Sequence, residues 1–110
     1  MSSPSIDSLR LQCGGPRDGA LLRFALGEAL RDAGDLPAAI DELRHALAFD
    51  PLYSAAWKQL GRACLAAGRE ADAAEAWRQG VEAADRRGDR QAQKEMTVFL
   101  RRLERTGPRC

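Results

Sequence analysis

Residues 57–77 read WKQLGRACLAAGREADAAEAW, and residues 23–43, which lie 34 positions earlier, read RFALGEALRDAGDLPAAIDEL. The two stretches share leucine, glycine and alanine at matching places, without a gap. Identical pairs include Leu26 and Leu60, Gly27 and Gly61, Gly34 and Gly68, and Ala39 and Ala73. A fixed period held over so many positions is typical of stacked repeats, which form binding surfaces rather than reaction centres.

Apolar residues recur at steps of three and four within each stretch, which predicts amphipathic helices. We expect five, at about 19–33, 35–49, 52–67, 70–87 and 90–105. Glycines 34, 68 and 88 follow helix ends, while Asp35 and Asp89 are suitable N-caps. Asp85 occupies the place that Pro51 holds in the first unit, so the fourth helix is expected to extend to Arg87.

Short connections make consecutive helices antiparallel neighbours. The sequence therefore predicts an all-α fold of two helix pairs plus a C-terminal capping helix, which covers the second pair through Met96, Phe99, Leu100 and Leu103. The predicted organisation is a tail with a short helix at 5–13 within residues 1–18, a repeat domain at 19–105, and a disordered tail at 106–110.

Charge is unevenly distributed along a chain of net charge +1. Residues 1–50 carry five basic and eight acidic side chains, whereas residues 86–110 carry eight and three. This basic end is either an electrostatic contact surface or a solvated helix face. The three cysteines lack metal-ligand spacing, and Cys64 falls on a core position. Their use indicates a reducing compartment, so we expect a cytoplasmic protein, with no visible secretion signal or membrane span.

Reactive chemistry has little support in the sequence. His45 is the single histidine and is expected on an outward helix face, so the chain offers no histidine-based metal cluster. The spacing of residues in the sequence indicates no site that would combine a nucleophile, a base and a group that orients the base. We therefore expect no enzyme activity, catalytic residue, metal or cofactor. Arg87-Gly88-Asp89 spells an adhesion tripeptide but is accounted for by a helix cap and turn.

The stretch from Trp57 to Trp77 resembles a tetratricopeptide repeat. That pattern has Trp, Leu, Gly, an aromatic residue, Ala and an aromatic residue at the places of Trp57, Leu60, Gly61, Cys64, Ala73 and Trp77. The departures are Cys64 and Asp85 in this unit, with Arg23 and Leu30 in the earlier one. Small residues at close contacts predict that Gly27 faces Ala39 and Ala46, and that Gly61 faces Ala73 and Gly80.

The resemblance implies a concave groove lined by the first helix of each pair. By position, it points to Leu21, Phe24, Glu28 and Arg31, then to Ala55, Lys58, Gln59, Arg62 and Leu65. Family members that hold a terminal carboxylate use Lys and Asn where this chain has Phe24 and Glu28. Phe24 has two readings, as a groove residue or as a residue packed under the N-terminal segment.

These residues favour a non-enzymatic module that binds a partner protein or peptide segment in the groove. An alternative is a self-associating module, because a two-repeat unit leaves apolar edges on which a second copy could stack. Nucleic-acid binding through the basic C-terminal helix is weaker, since no aromatic platform accompanies the charge.

Overall fold

The computed structural model describes residues 5–106, which form six α-helices and no strand. In chain order they are α1 (Ile6–Gln12), α2 (Ala20–Asp32), α3 (Leu36–Phe49), α4 (Ser54–Ala66), α5 (Glu70–Arg87) and α6 (Arg90–Thr106). Helices α2 and α3 form one pair, α4 and α5 form a second, and α6 packs on α5. The predicted all-α repeat fold is confirmed. None of the described helices combines the length and apolar composition of a membrane span.

The predicted helix ends are largely confirmed. Gly34, Gly68 and Gly88 have φ of +86°, +79° and +78°, a conformation that glycine adopts at low cost. The Asp35 carboxylate accepts the Ala38 N–H at 3.3 Å, and the Asp89 carboxylate accepts the Ala92 N–H at 3.1 Å. Each aspartate therefore caps its helix as predicted.

The third predicted helix begins two residues later than expected, at Ser54 instead of residue 52. The Asp50 side chain accepts the Leu52 N–H at 3.1 Å, and its carbonyl accepts the Tyr53 N–H at 3.1 Å. These bonds form a turn through Pro51, because an aspartate side chain competes with helical hydrogen bonding for nearby backbone donors.

Both ends of the helix stack are covered. Leu9 of α1 is buried in a cluster with Leu26, Leu30 and Ala39, so α1 packs on the first pair. At the other end, Met96 of α6 is fully buried against the larger core cluster, as the capping role predicted. The predicted terminal tails fall partly on residues 1–4 and 107–110, which lie outside the described residues.

The glycines inside the helices have a different packing reason from the one predicted. A Cβ on Gly61 would meet the indole of Trp77, and one on Gly80 would meet Met96 and Trp57. A Cβ on Gly27 would lie 2.8 Å from Leu43 Cγ and 3.4 Å from the Ala39 carbonyl oxygen. The nearest neighbours are therefore mostly large side chains rather than the small residues predicted. Each glycine gives space to a bulky side chain from an adjacent helix.

Arg23, which replaces a common tryptophan, joins three parts of the first pair. Its guanidinium donates to both carboxylate oxygens of Asp18 at 2.9 Å and to Glu42 at 2.9 Å. Asp18 also accepts the N–H groups of Gly14 and Gly19 at 2.8 and 2.9 Å. The hydrogen bonds from Arg23 and Gly14 hold the pKa of Asp18 well below its usual range. Arg23 thereby fixes the α1–α2 loop to α3.

A second polar contact connects the two turns at the other end of the helices. Arg87 donates to the Asp50 carboxylate at 2.9 and 3.1 Å, and the Ser54 hydroxyl donates to Asp89 Oδ2 at 2.7 Å. The α3–α4 turn is thus bonded to the α5–α6 turn. This geometry gives all three residues of Arg87-Gly88-Asp89 a structural use, in agreement with the cap-and-turn interpretation.

Candidate functional site

Three helices lie side by side on one face of the stack, in the order α2, α4, α6. Lys58 Nζ of α4 is 2.9 Å from Glu95 Oε1 of α6, and the Arg62 guanidinium lies 5.0 Å from the centre of the Phe99 ring. These contacts place the inner side of α6 next to the candidate residues of α4. We call this surface the α2–α4–α6 face; its residues are Leu21, Phe24, Glu28, Arg31, Ala55, Lys58, Gln59, Arg62, Leu65, Glu95 and Phe99.

Phe24 packs against the start of α4 and not under the N-terminal helix. Its ring centre lies 5.0 Å from that of Tyr53, and both side chains are half-buried against the larger core cluster. Helix α1 packs instead on the other cluster, with Leu22 and Ala25. The structure therefore places Phe24 at the boundary between core and surface, where part of its ring remains accessible.

Glu28 and Arg31 form a loose pair one turn further along α2. Arg31 Nε lies 3.5 Å from Glu28 Oε1, and within residues 5–106 neither buried atom has a hydrogen-bond partner. Burial raises the pKa of Glu28, while the positive charges of Arg31, Arg62 and Lys58 oppose that rise. Gln59 Oε1 on α4 is also buried without a partner in this range. Such atoms cost free energy until a donor or acceptor reaches them.

The remaining predicted residues differ in accessibility. Lys58 is half-buried and held by Glu95, whose pKa is lowered by that hydrogen bond and charge. Arg62 is exposed above the Phe99 ring, a cation–π geometry that fixes its guanidinium. Leu65 and Leu21 are 41% and 74% exposed. The structure thus brings Lys58 and Arg62 to α6, whereas Leu21 lies at the opposite end of α2 from Arg31.

Glu95 and Phe99 belong to this surface, but Glu95 was not identified from the sequence and Phe99 was assigned only to the cap. The period of 34 does not reach α6, because the offset from Lys58 to Glu95 is 37. The same offset relates Arg62 to Phe99. The longer α5 accounts for the change, and the aspartate in place of proline at residue 85 was its sequence signal. Applying this longer offset would have identified both residues.

The single histidine lies beside the Arg23 and Glu42 pair of the first helix pair. His45 is exposed and its Nδ1 lies 3.4 Å from Glu42, in agreement with its predicted outward position. Within residues 5–106 there is no group of three His, Cys, Asp or Glu side chains placed to hold a metal ion.

Comparison with known proteins places these observations in a family. The sequence model of a protein family described as tetratricopeptide repeat matches residues 20–63 of this chain. The TPR repeat-containing protein PA0015 of Pseudomonas aeruginosa is 54% identical over 88 residues, which cover 80% of this chain and 84% of that protein. The solution structure of protein BPP2914 from Bordetella parapertussis has a TM-score of 0.79 at 43% identity, covering 96% of this chain and 91% of that one.

A more distant structure shares the fold. The tetratricopeptide repeat domain protein from Salinibacter ruber has a TM-score of 0.73 at 22% identity, over 79% of this chain and 97% of that chain.

Proposed function

This chain belongs to the tetratricopeptide repeat family, and on that premise we propose that it is a non-enzymatic module that binds a segment of a partner protein on the α2–α4–α6 face. Tetratricopeptide repeats are generally protein-interaction modules, and their proteins are typically non-catalytic scaffolds. The free thiol of Cys64 in the core fits the cytoplasm, a reducing compartment, as the place of action.

The observation that carries the proposal is the fixed arrangement of mixed side chains on three adjacent helices. Phe24 is held by Tyr53, Lys58 by Glu95, and Arg62 by Phe99. Side chains that are already ordered lose little entropy when a ligand binds them. Phe24 would supply desolvated apolar area, and the charged groups would set direction and association rate more than affinity.

The test compares partner capture by the parent and by a variant carrying Phe24→Ala, Lys58→Glu and Arg62→Glu. Tagged proteins are incubated in the native lysate, and bound proteins are quantified by mass spectrometry. We expect the variant to lose partners that the parent retains, provided that its circular dichroism spectrum and melt show a folded protein.

The matched control carries Lys94→Glu and Arg101→Glu, which reverse two exposed charges of α6 away from α4. It should capture the same partners as the parent. Equal capture by the parent and the triple variant would move the binding site off this face.

Self-association has less support than partner binding. That alternative depended on apolar edges, but α1 and α6 pack over the two ends of the repeat stack. Light scattering during size-exclusion chromatography measures the oligomeric state directly, and a mass of one chain is the expected result.

A further inference from the structure

One end of the α2–α4–α6 face carries an apolar side chain between guanidinium groups. Arg102 follows Glu95 by seven residues, so the two lie on the same side of α6, and the exposed Arg102 extends the α2–α4–α6 face at this end. With the offsets of 34 and 37 residues, Arg31, Leu65 and Arg102 occupy equivalent places on α2, α4 and α6. Leu65, which is 41% exposed, therefore lies in a row between two arginines.

The cations of this region differ in how far their charge is already compensated. Lys58 is paired with Glu95 at 2.9 Å, and Arg31 faces Glu28 at 3.5 Å. Within residues 5–106, neither Arg62 nor Arg102 has a carboxylate within the 4.0 Å of an ion pair. The excess positive charge of the face is therefore concentrated beside Leu65.

We propose that the α2–α4–α6 face recognises an acidic segment of a partner protein, whose carboxylates bind Arg62 and Arg102 and whose apolar side chain packs on Leu65. The inference rests on the proposed function and adds the chemistry of the partner. A guanidinium donates two parallel hydrogen bonds to a carboxylate, and Arg62 is already positioned over the ring of Phe99.

A protein segment fits this surface better than a nucleic acid. The carboxylates of Glu28 and Glu95 lie on the same face and repel a continuous row of phosphates. Base stacking needs an aromatic ring with a free face, but Phe99, the ring next to the two arginines, lies between the Arg62 guanidinium and the Trp77 ring. An exposed leucine beside two guanidiniums matches an acidic peptide with an apolar residue.

The experiment selects binders for the full-length protein from a display library of random peptides of about twelve residues, a length that spans a small interface. Each peptide is linked through its carboxyl end, so no terminal carboxylate is free. We expect enrichment of peptides in which Asp or Glu adjoins Leu, Ile, Val or Met.

The selected peptides are then measured against two adjacent charge reversals. Arg102→Glu should weaken binding about tenfold, because it replaces attraction by repulsion at the site. Arg101→Glu makes the same change of net charge on an exposed position turned away from α4, and should change affinity less than about twofold. If the Arg102→Glu variant does not fold, Arg102→Gln takes its place, and we expect it to lower peptide affinity about threefold.

The outcomes separate this inference from the proposed function. Neutral or basic peptides that still require Phe24 would overturn the acidic partner and leave the binding face in place. Two results would overturn both the acidic ligand and the binding face. One is selected peptides that bind the parent and the Phe24→Ala and Arg62→Glu variants with equal affinity, and the other is no enrichment of peptides at all. If a single-stranded DNA oligonucleotide binds, and its binding weakens with Arg102→Glu but not with Arg101→Glu, the site recognises phosphate. That result would overturn the proposal of an acidic peptide ligand.

Discussion

Replacing Gly61 with alanine adds one carbon atom at a place that the Trp77 ring already occupies. The new Cβ would meet Nε1, Cε2 and Cδ1 of that indole, so the ring must move. Trp77 is 2% exposed, donates its Nε1–H to the Lys58 carbonyl at 3.2 Å, and packs 5.3 Å from the ring centre of Phe99. A rigid ring with these partners cannot shift without weakening them.

The magnitude follows from opposing contributions. Alanine favours a helix interior over glycine by about 1 kcal/mol. Overpacking a core costs about 1–3 kcal/mol, and losing the indole hydrogen bond and part of the aromatic contact adds about 1–2 kcal/mol. The net destabilisation is about 2 kcal/mol, which lowers the Tm of a domain of this size by roughly 8 °C.

Thermal melts followed by circular dichroism measure this change, with the single and double variants of Gly61→Ala and Trp77→Leu. A leucine leaves more room, so Gly61→Ala should cost at least about 1 kcal/mol less in the Trp77→Leu background. A Gly61→Ala protein as stable as the parent would show that helix propensity, not packing, governs this position. If Gly61→Ala cost the same free energy of unfolding in both backgrounds, contact with the Trp77 ring would not be the cause of the destabilisation.

Two further predictions concern the ends of the fold. A chain ending at Gly88 lacks α6 and exposes the face that Met96 and its neighbours cover. It should therefore aggregate or lose its cooperative melt. A soluble monomer with a sharp thermal transition would contradict the capping role of α6. Asp18→Asn should destabilise the protein at neutral pH, because the folded state holds the pKa of Asp18 below its ordinary value of 3.8. The stabilisation by the Asp18 carboxylate is present above that ordinary pKa and is lost as pH falls towards the lowered folded pKa. The denaturant midpoints of parent and variant should therefore converge only in strong acid. A difference between the midpoints that stays constant with pH would exclude the charge of Asp18 as the cause of the destabilisation.

The repeat fold was predictable because its determinants are local and periodic. The period of 34, the glycines after α2, α4 and α5 and the capping aspartates specify helix ends and antiparallel pairs without knowledge of long-range contacts. The start of α4 was missed because Asp50 diverts two backbone donors into a turn. That choice depends on side-chain geometry, to which apolar periodicity is insensitive.

The packing of the glycines was less predictable than their position. Sequence spacing identifies Gly61 as a close contact, but the identity of its neighbour depends on the rotamer of Trp77. Equally, Arg23 of α2 pairs with Glu42 of α3, and Arg87 at the end of α5 pairs with Asp50 in the α3–α4 turn. Long side chains choose among several partners, and only the three-dimensional structure selects one.

The register of α6 explains how a chain with two repeats has three helices on the proposed binding face. Because α5 continues to Arg87, α6 begins two residues later than the period of 34 would place it, and the residue that faces Lys58 lies three residues later. Met96 then faces the core while its neighbour Glu95 reaches Lys58, so successive residues serve the cap and the binding face. Substitutions at Glu95 and Arg102 therefore probe recognition without removing the apolar cover, whereas deletion of α6 removes both.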